Sequence, residues 1–276
     1  MAKLTKAEEK LHAEALALVD LERNLTEDEK LHVLEHFQEA STASNSTHGA
    51  FFTPLGLARD FSIEVPDGVR RIIDLGAGIG RLSFGCRNLF GHRWDGDPLR
   101  EFVCVERNPD YVRIGKKIMP EAQWVCGDIL DVPGMGLGRF DVAIGNPPFG
   151  AIKRSKDAPG GYTGRKFEYH AIAVAAQVAR YGVFIIPQTS APFRYSGQPC
   201  YDGHGGDREY QKFSKATGIV LDANCGIDTS YYDGEWHGVS PRVEIVTADF
   251  TAAAAMPEPI PIPVGAQEAF ELGDAA

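Results

Sequence analysis

No apolar run in the 276-residue chain approaches the ~20 residues that a membrane-spanning helix needs, so neither a transmembrane helix nor a membrane partner is expected. The opening MAKLTKAEEK alternates charges and lacks an apolar segment before a small-residue cleavage site, so no secretory signal is expected either. The chain reads as cytoplasmic. Cysteine is scarce and scattered: Cys86, Cys104, Cys126, Cys200 and Cys225 form no C-x-x-C pair. That spacing speaks against a zinc ribbon or a dithiol redox pair and for reduced, mostly buried thiols. Positive charge is also in deficit, 28 Lys and Arg against 38 Asp and Glu, for a net charge of −10. The deficit is uneven, because residues 1–47 carry 5 basic and 10 acidic groups and residues 251–276 carry 4 acidic and no basic ones. The middle of the chain is nearly neutral, and within it residues 150–170 are locally basic.

Two capping-box patterns, Thr5 to Glu8 and Thr26 to Glu29, precede apolar residues at helical spacing, Leu11, Ala15 and Leu18, then Leu31, Leu34 and Phe37. They predict two helices within residues 1–47. The small polar run Ser41 to Thr47 reads as a linker. Beyond it, apolar runs at Arg71–Leu75, Phe102–Glu106, Ala122–Val125, Phe140–Ile144 and Gly182–Pro187 alternate with helical stretches, among them Phe167 to Tyr181. This is the pattern of an α/β domain with a mostly parallel sheet. Gly218–Asp222 and Arg242–Ala248 read as two further strands, with a turn at Asp233-Gly234 between them, so that the sheet ends in an antiparallel hairpin. The expected division is a helical extension at 1–47, a catalytic domain at 48–250, and an Ala/Pro-rich extended tail at 251–276.

The main cofactor signal is the glycine turn Asp74-Leu75-Gly76-Ala77-Gly78-Ile79-Gly80, placed between a strand and a helix start. Glycines without Cβ atoms let backbone approach a ligand, and the following helix offers free N–H groups. The dinucleotide pattern G-x-G-x-x-G is not met, because the third glycine comes one residue early and Arg81 stands in its place. Glu106 closes the next strand, where a carboxylate can accept both ribose hydroxyls of a nucleoside cofactor. Asp128 follows the third strand and either accepts an exocyclic amine or caps a helix.

At the end of the fourth strand stands Asn146-Pro147-Pro148-Phe149. The prolines stiffen the backbone and remove two N–H donors, so the Asn146 side-chain oxygen and the Pro147 carbonyl can both act as acceptors facing one NH₂ group. Two acceptors on an aromatic amine favour a more nucleophilic nitrogen, and Phe149 offers a stacking face. Taken alone, Pro-Pro-Phe is also an ordinary strand-ending turn. Its position after three other strand-end signals favours a site, since ligands of open α/β sheets bind at those ends.

With these residues the chain resembles the Rossmann-like class I methyltransferases that use S-adenosyl-L-methionine, and most closely the N6-adenine DNA methyltransferases. The resemblance spans residues 49–250. It implies that Gly76, Gly78, Gly80 and Asp74 hold the cofactor, with Glu106 at its ribose, Asp128 at its adenine and Asn146 to Phe149 as the catalytic tetrad. Gly49-Ala50-Phe51-Phe52-Thr53-Pro54 is similar to the family's motif lying over the methionine end, which would make Phe52, Thr53 and Pro54 cofactor contacts and give the gamma order of motifs. From the residues alone, Thr53 could equally cap the helix that starts near Pro54. The implied reaction is methyl transfer to N6 of a flipped adenine in DNA, in a restriction-modification setting. RNA adenine and protein glutamine are the alternatives, and an inert cofactor-binding module is the non-enzyme one.

A flipped base needs cations for its strand and aromatic walls for its ring. Lys153, Arg154, Lys156, Arg165 and Lys166 are the expected substrate-binding cations, on a loop whose glycines and prolines predict mobility; a solvated face is the plainer reading. Tyr195, Tyr201, Tyr231, Tyr232 and Trp236 are candidates for a second wall. His170, His204 and His237 lack metal spacing, and no metal is expected. The resemblance also implies an appended recognition domain, and only 26 residues follow residue 250, so recognition is expected from loops 150–167 and 188–216 or from a partner. The N-terminal helices could cover the cofactor, contact DNA, or pair with a protein partner or second subunit.

Overall fold

The computed structural model describes residues 4–38, 51–237 and 239–253; the linker Ser41 to Thr47, Gly49, Ala50 and the tail from residue 254 lie outside them. Seven strands form one sheet: β1 (Arg71–Leu75), β2 (Glu101–Glu106), β3 (Gln123–Cys126), β4 (Phe140–Gly145), β5 (Ala179–Pro187), β6 (Asp222–Ala223) and β7 (Val243–Asp249). Their order is β3-β2-β1-β4-β5-β7-β6, with the first five parallel and β7 antiparallel to both β5 and β6. Chain direction across the sheet reverses between β1 and β4, so the C-terminal ends of those two strands open the crevice where such sheets take ligands.

Both faces of the sheet are covered, which is why the strands read as unbroken apolar runs. Ile72, Cys104, Val142 and Ile144 pack toward α3 (Leu55–Phe61), α4 (Arg81–Gly85) and α6 (Pro109–Ile118), while Ile73, Leu75, Val105 and Ala143 pack toward α7 (Phe167–Val178) and α8 (Arg208–Thr217). The remaining helix between strands, α5 (Leu89–Asp95), leaves Phe90 and Trp94 exposed.

α1 (Lys6–Val19) and α2 (Glu27–His36) begin at Thr5 and Thr26 with complete capping boxes, as their sequence predicts. Their apolar sides are spent on their own chain. Ala15, Val19, Val33, Leu34 and Phe37 join the core beside Ile72 and Ile114, and Arg113 to Asp20 and Arg87 to Glu27 tie them down.

Four expectations about elements are corrected. The helix from Phe167 stops at Val178 rather than Tyr181, because Ala179 turns extended and pairs with Phe140, and Tyr181 pairs with Asp249; sheet pairing overrides helix propensity there. Of the strand expected at Gly218–Asp222, only Asp222 enters β6. Gly218 ends α8 with φ 72°, and the Leu221 N–H goes to the Tyr210 hydroxyl instead of a strand. Residues 208–216, read as loop, belong to α8, capped by Asp207. Thr251 to Ala253 also continue from Phe250 as a helical turn, α9 (Phe250–Ala253), in place of the extended start expected for the tail.

Candidate active site

β1 delivers Asp74 and the glycine turn to the crevice. Gly76, Gly78 and Gly80 all take left-handed φ, 82°, 56° and 93°, which only glycine adopts freely. A Cβ on Gly78 would lie 2.9 Å from the Phe52 ring, so the turn must be bare for that ring to close over it. The Gly76 and Ala77 N–H groups bond to the Val105 carbonyl, and Gly78 donates to Glu106 Oε2 at 2.9 Å. Glu106 Oε1 accepts from the Asn108 N–H at 2.7 Å. Burial pushes the Glu106 carboxyl above its usual range, and these N–H donors pull it back. The glycine turn and Glu106 are thus one hydrogen-bonded unit.

Gly76, Gly78, Glu106 and Asn108 line a cavity of about 500 Å³, with Phe51, Phe52, Tyr111, Asp128, Asn146, Pro148, Lys153 and Phe167 among its walls; Gly80, expected at the cofactor, shapes the turn and lies on no wall of it. A recess of about 30 Å³ adjoins it, shares Phe51, Phe52, Gly76, Gly78 and Asn146, and adds Thr53 and Asp74. A second cavity of about 520 Å³, between residues 130–135 and 156–159, touches none of the parallel strand ends.

Two acceptor atoms give the recess its chemistry. Asp74 is wholly buried; its Oδ2 accepts from Ser83 Oγ at 2.6 Å, while Oδ1 has no partner among the described residues. Burial pushes its carboxyl up to about 7, against the opposing Ser83 hydrogen bond. Asn146 Nδ2 donates to the Phe51 carbonyl at 2.9 Å and to Thr53 Oγ1 at 3.0 Å. A carbonyl only accepts, which fixes the amide's orientation. Its Oδ1 is therefore turned the other way, shielded and without a partner among the described residues. Thr53 is buried and takes the Asn146 amide, whereas the helix after it starts at Pro54 with no side-chain cap. Asp128 is a cap: its Oδ1 accepts the Leu130 N–H at the start of the 3-10 turn 129–134, and the residue also lies on the cavity wall.

Within the tetrad, Pro147 is buried, Pro148 lines the cavity, and the half-buried Phe149 ring stands 6.2 Å from Phe51. The five cations separate. Arg154 pairs with Asp157 at 2.6 Å, Lys156 with Asp131 at 2.6 Å and Lys166 with Asp207 at 2.8 Å. Lys153, on the cavity wall, and Arg165, exposed, have no ion-pair partner among the described residues. The loop expected to be mobile is pinned: Tyr162 is buried, and the fully buried His170 accepts the Ala158 N–H at Nδ1 and meets the Gly164 carbonyl at Nε2. Burial holds that imidazole below its usual range.

None of the five aromatic candidates borders the cavity. Trp236 is buried in the core, the Tyr232 hydroxyl bonds to Asp60, Tyr195 is half-buried, Tyr201 stacks on Phe193 at 5.7 Å, and Tyr231 is exposed. The cavity's rings are Phe51, Phe52, Tyr111 and Phe167 instead. Tyr111 was legible through Asn108-Pro109, a cap and first-turn proline that start a helix directly after Glu106. Arg81 was missed as a participant: it is buried, donates to the Thr53 carbonyl at 3.2 Å and to the Phe37 carbonyl at 3.5 Å, and lies 5.2 Å from the Phe52 ring.

No protein-family model matches the chain, and no curated protein matches it. Solved structures do. A Listeria monocytogenes protein described as a class I S-adenosylmethionine-dependent methyltransferase is 12% identical, with TM-score 0.55 over 89% of this chain and 81% of that one. The methyltransferase subunit of a type I restriction-modification system from Streptococcus thermophilus is 15% identical, with TM-score 0.53 over 81% of this chain and 48% of that one. A Vibrio vulnificus protein described as a type I modification subunit is 12% identical, with TM-score 0.50 over 83% and 51%. This chain spans about half the length of the two type I subunits. The fold is that of the class I methyltransferases, a Rossmann-like mostly parallel sheet with an antiparallel end.

Proposed function

We propose that the chain transfers the methyl group of S-adenosyl-L-methionine to the exocyclic N6 of adenine in DNA. The observation that carries this is Asn146, a residue that lines the recess, whose amide nitrogen is committed to Phe51 and Thr53 while its oxygen has no partner among the described residues. A bare, buried acceptor at a strand end is costly unless a donor arrives there.

The residues present fit the cofactor. Its positively charged ammonium would find a partner in the bare Asp74 oxygen, its ribose hydroxyls in Glu106, and its base in the cavity beside Asp128, with Phe52, Thr53 and Pro54 over the methionine end. The cofactor would supply an electrophilic methyl group on a positive sulfur. The protein's part is positioning. Asn146 Oδ1 and the Pro147 carbonyl accept the two N6 hydrogens and draw the lone pair out of the ring, Phe149 and Pro148 hold the base, and the proton that the amine sheds once methylated, when it is strongly acidic, passes to water. Lys153 and Arg165 hold phosphates. Three of the five loop cations are neutralised by neighbours, so the chain's own grip on duplex is light, and a partner protein or second copy meeting the outward charged faces of α1 and α2 would add to it. Catalysis belongs to residues 48–250.

The test is isotopically labelled S-adenosylmethionine with a mixture of unmethylated duplex DNA and RNA, digested to nucleosides and read by mass spectrometry. Labelled N6-methyldeoxyadenosine is expected. N6-methyladenosine alone would move the substrate to RNA; label in protein glutamine, or cofactor binding with no product, would overturn the nucleic-acid reading.

A further inference from the structure

Pro147 and Pro148 carry no N–H, so the tetrad's backbone has to be fixed from its ends. At the front, Asn146 is tied to Phe51 and Thr53. At the back is Gly150, with φ 75°, and both of its peptide groups are taken by the start of α7: its N–H donates to Glu168 Oε2 at 2.8 Å, and its carbonyl accepts the Phe167 N–H at 2.9 Å. Glu168 is wholly buried, and its other oxygen accepts from Ser190 Oγ at 2.7 Å. The Ser190 carbonyl in turn receives the Tyr169 hydroxyl at 2.8 Å. Ser190 lies three residues beyond the end of β5, at the root of the 188–206 segment on the same edge of the sheet. Ten of the twelve α7 residues are buried, and most are Ala, Val, Ile or aromatic; a carboxylate among them is costly to bury unless hydrogen-bonded. Here it bridges two loops that the sheet alone leaves unconnected.

We propose that Glu168 is a positioning residue for the tetrad. Through Gly150 it sets the Pro147 carbonyl and the Phe149 ring, and through Ser190 it couples them to the segment after β5. It acts on the target side of the cavity and not on the cofactor side, which Gly76 to Glu106 build on the far strands. The activity readout rests on the methyl-transfer reading above; the Gly150 amide readout does not.

The experiment compares the full-length wild type with Glu168→Gln, which keeps the shape but places an NH₂ group against one of its two donors, and with Ser190→Ala, which cuts a single arm and spares folding. Four quantities are read: hydrogen exchange at the Gly150 amide by NMR, the dissociation constant for S-adenosylmethionine, and kcat and KM on polynucleotide. For Glu168→Gln the expectation is at least tenfold faster exchange at Gly150, cofactor affinity within twofold, and kcat lowered about tenfold with KM within threefold. For Ser190→Ala it is a kcat loss of about threefold with cofactor affinity kept. Unchanged exchange at Gly150 overturns the proposal, and so does a parallel fall of kcat and cofactor affinity, the mark of general loosening. If Glu168→Gln does not fold, an unaltered kcat in Ser190→Ala overturns the coupling to the segment after β5. If the wild type methylates nothing, the function reading fails by itself, while Gly150 exchange still decides the link.

Discussion

Asp74 and Glu244 are both carboxylates buried inside one sheet, and they are treated in opposite ways. On β7, Glu244 accepts from Gln188 Nε2, from the Tyr195 and Ser196 N–H groups and from Ser196 Oγ, at 2.7–3.3 Å, so both of its oxygens are satisfied. At the end of β1, Asp74 has one side-chain donor, Ser83, and a second oxygen with no partner among the described residues, and it lines the same recess as Asn146, whose Oδ1 is likewise unpartnered there. Satisfied buried charge is architecture, here the knot that holds 188–196 on the sheet. Bare buried acceptors that converge on one space mark the place a ligand completes.

Substituting one residue from each region breaks or sharpens this contrast. Asn146→Ala is expected to lower turnover by about two orders of magnitude or more while calorimetry still finds cofactor binding; full turnover would remove the tetrad from the chemistry. Glu244→Ala should do the reverse, leaving several N–H donors unpaired at a cost of roughly 2–3 kcal/mol, seen as a lower melting temperature, with no direct loss of cofactor affinity per folded molecule. Glu106→Ala falls between, expected to weaken S-adenosylmethionine by roughly 10- to 100-fold in calorimetry through the loss of acceptors for two hydroxyls, with a smaller loss of stability from the freed Gly78 and Asn108 N–H groups.

Asp74 also gives the contrast a pH signature. Its folded-state carboxyl lies near 7, above the ordinary 3.8, so the folded chain keeps a proton that the unfolded chain releases between those values. Stability from this group is therefore highest below about pH 4 and declines as pH rises toward 7. Asp74→Asn keeps an acceptor for Ser83 and removes the buried charge. It should melt higher than the wild type at pH 8, by roughly 1–3 kcal/mol of stability, with the difference gone near pH 4. The same variant should lose cofactor affinity at pH 8, where the wild-type carboxylate is charged. A gain in stability without that loss would place the cofactor's ammonium elsewhere.

Much of this was legible in the sequence for physical reasons. Strands β1, β2 and β4 are buried on both faces and announce themselves as apolar runs, and the capping boxes at Thr5 and Thr26 state their own geometry. The glycine turn could be found because its left-handed positions favour glycine, and the tetrad because it ends one of a series of strands, since Pro-Pro-Phe by itself is an ordinary turn. What could not be read depends on contacts between distant residues. Ala179 to Tyr181 become strand only because Phe140 and Asp249 are there to pair with them. Glu168 is one of two acids, with Asp157, in a basic stretch of sequence, and its two partners stand 18 and 22 residues away in opposite directions. Leu221 is apolar like a strand residue, yet its N–H is claimed by a tyrosine hydroxyl from α8.

The cations of the 150–170 region show the same limit, and they carry the smallest expected effect. By sequence the five are equivalent; in the fold Arg154, Lys156 and Lys166 each hold an acid, and Lys153 and Arg165 do not. A cation already paired gives up that pair to meet a phosphate, so its net gain is small, whereas an unpaired one releases a counterion from the polynucleotide outright. Lys153→Ala combined with Arg165→Ala should therefore weaken polynucleotide binding and flatten the dependence of log K on log salt by about two units at most. Lys156→Ala should leave the slope nearly unchanged, since it frees Asp131 as it removes a positive charge. A flattening of about one unit in Lys156→Ala, half that of the double variant, would mean that the loop opens its ion pairs on binding and that paired and unpaired cations act together on the phosphates.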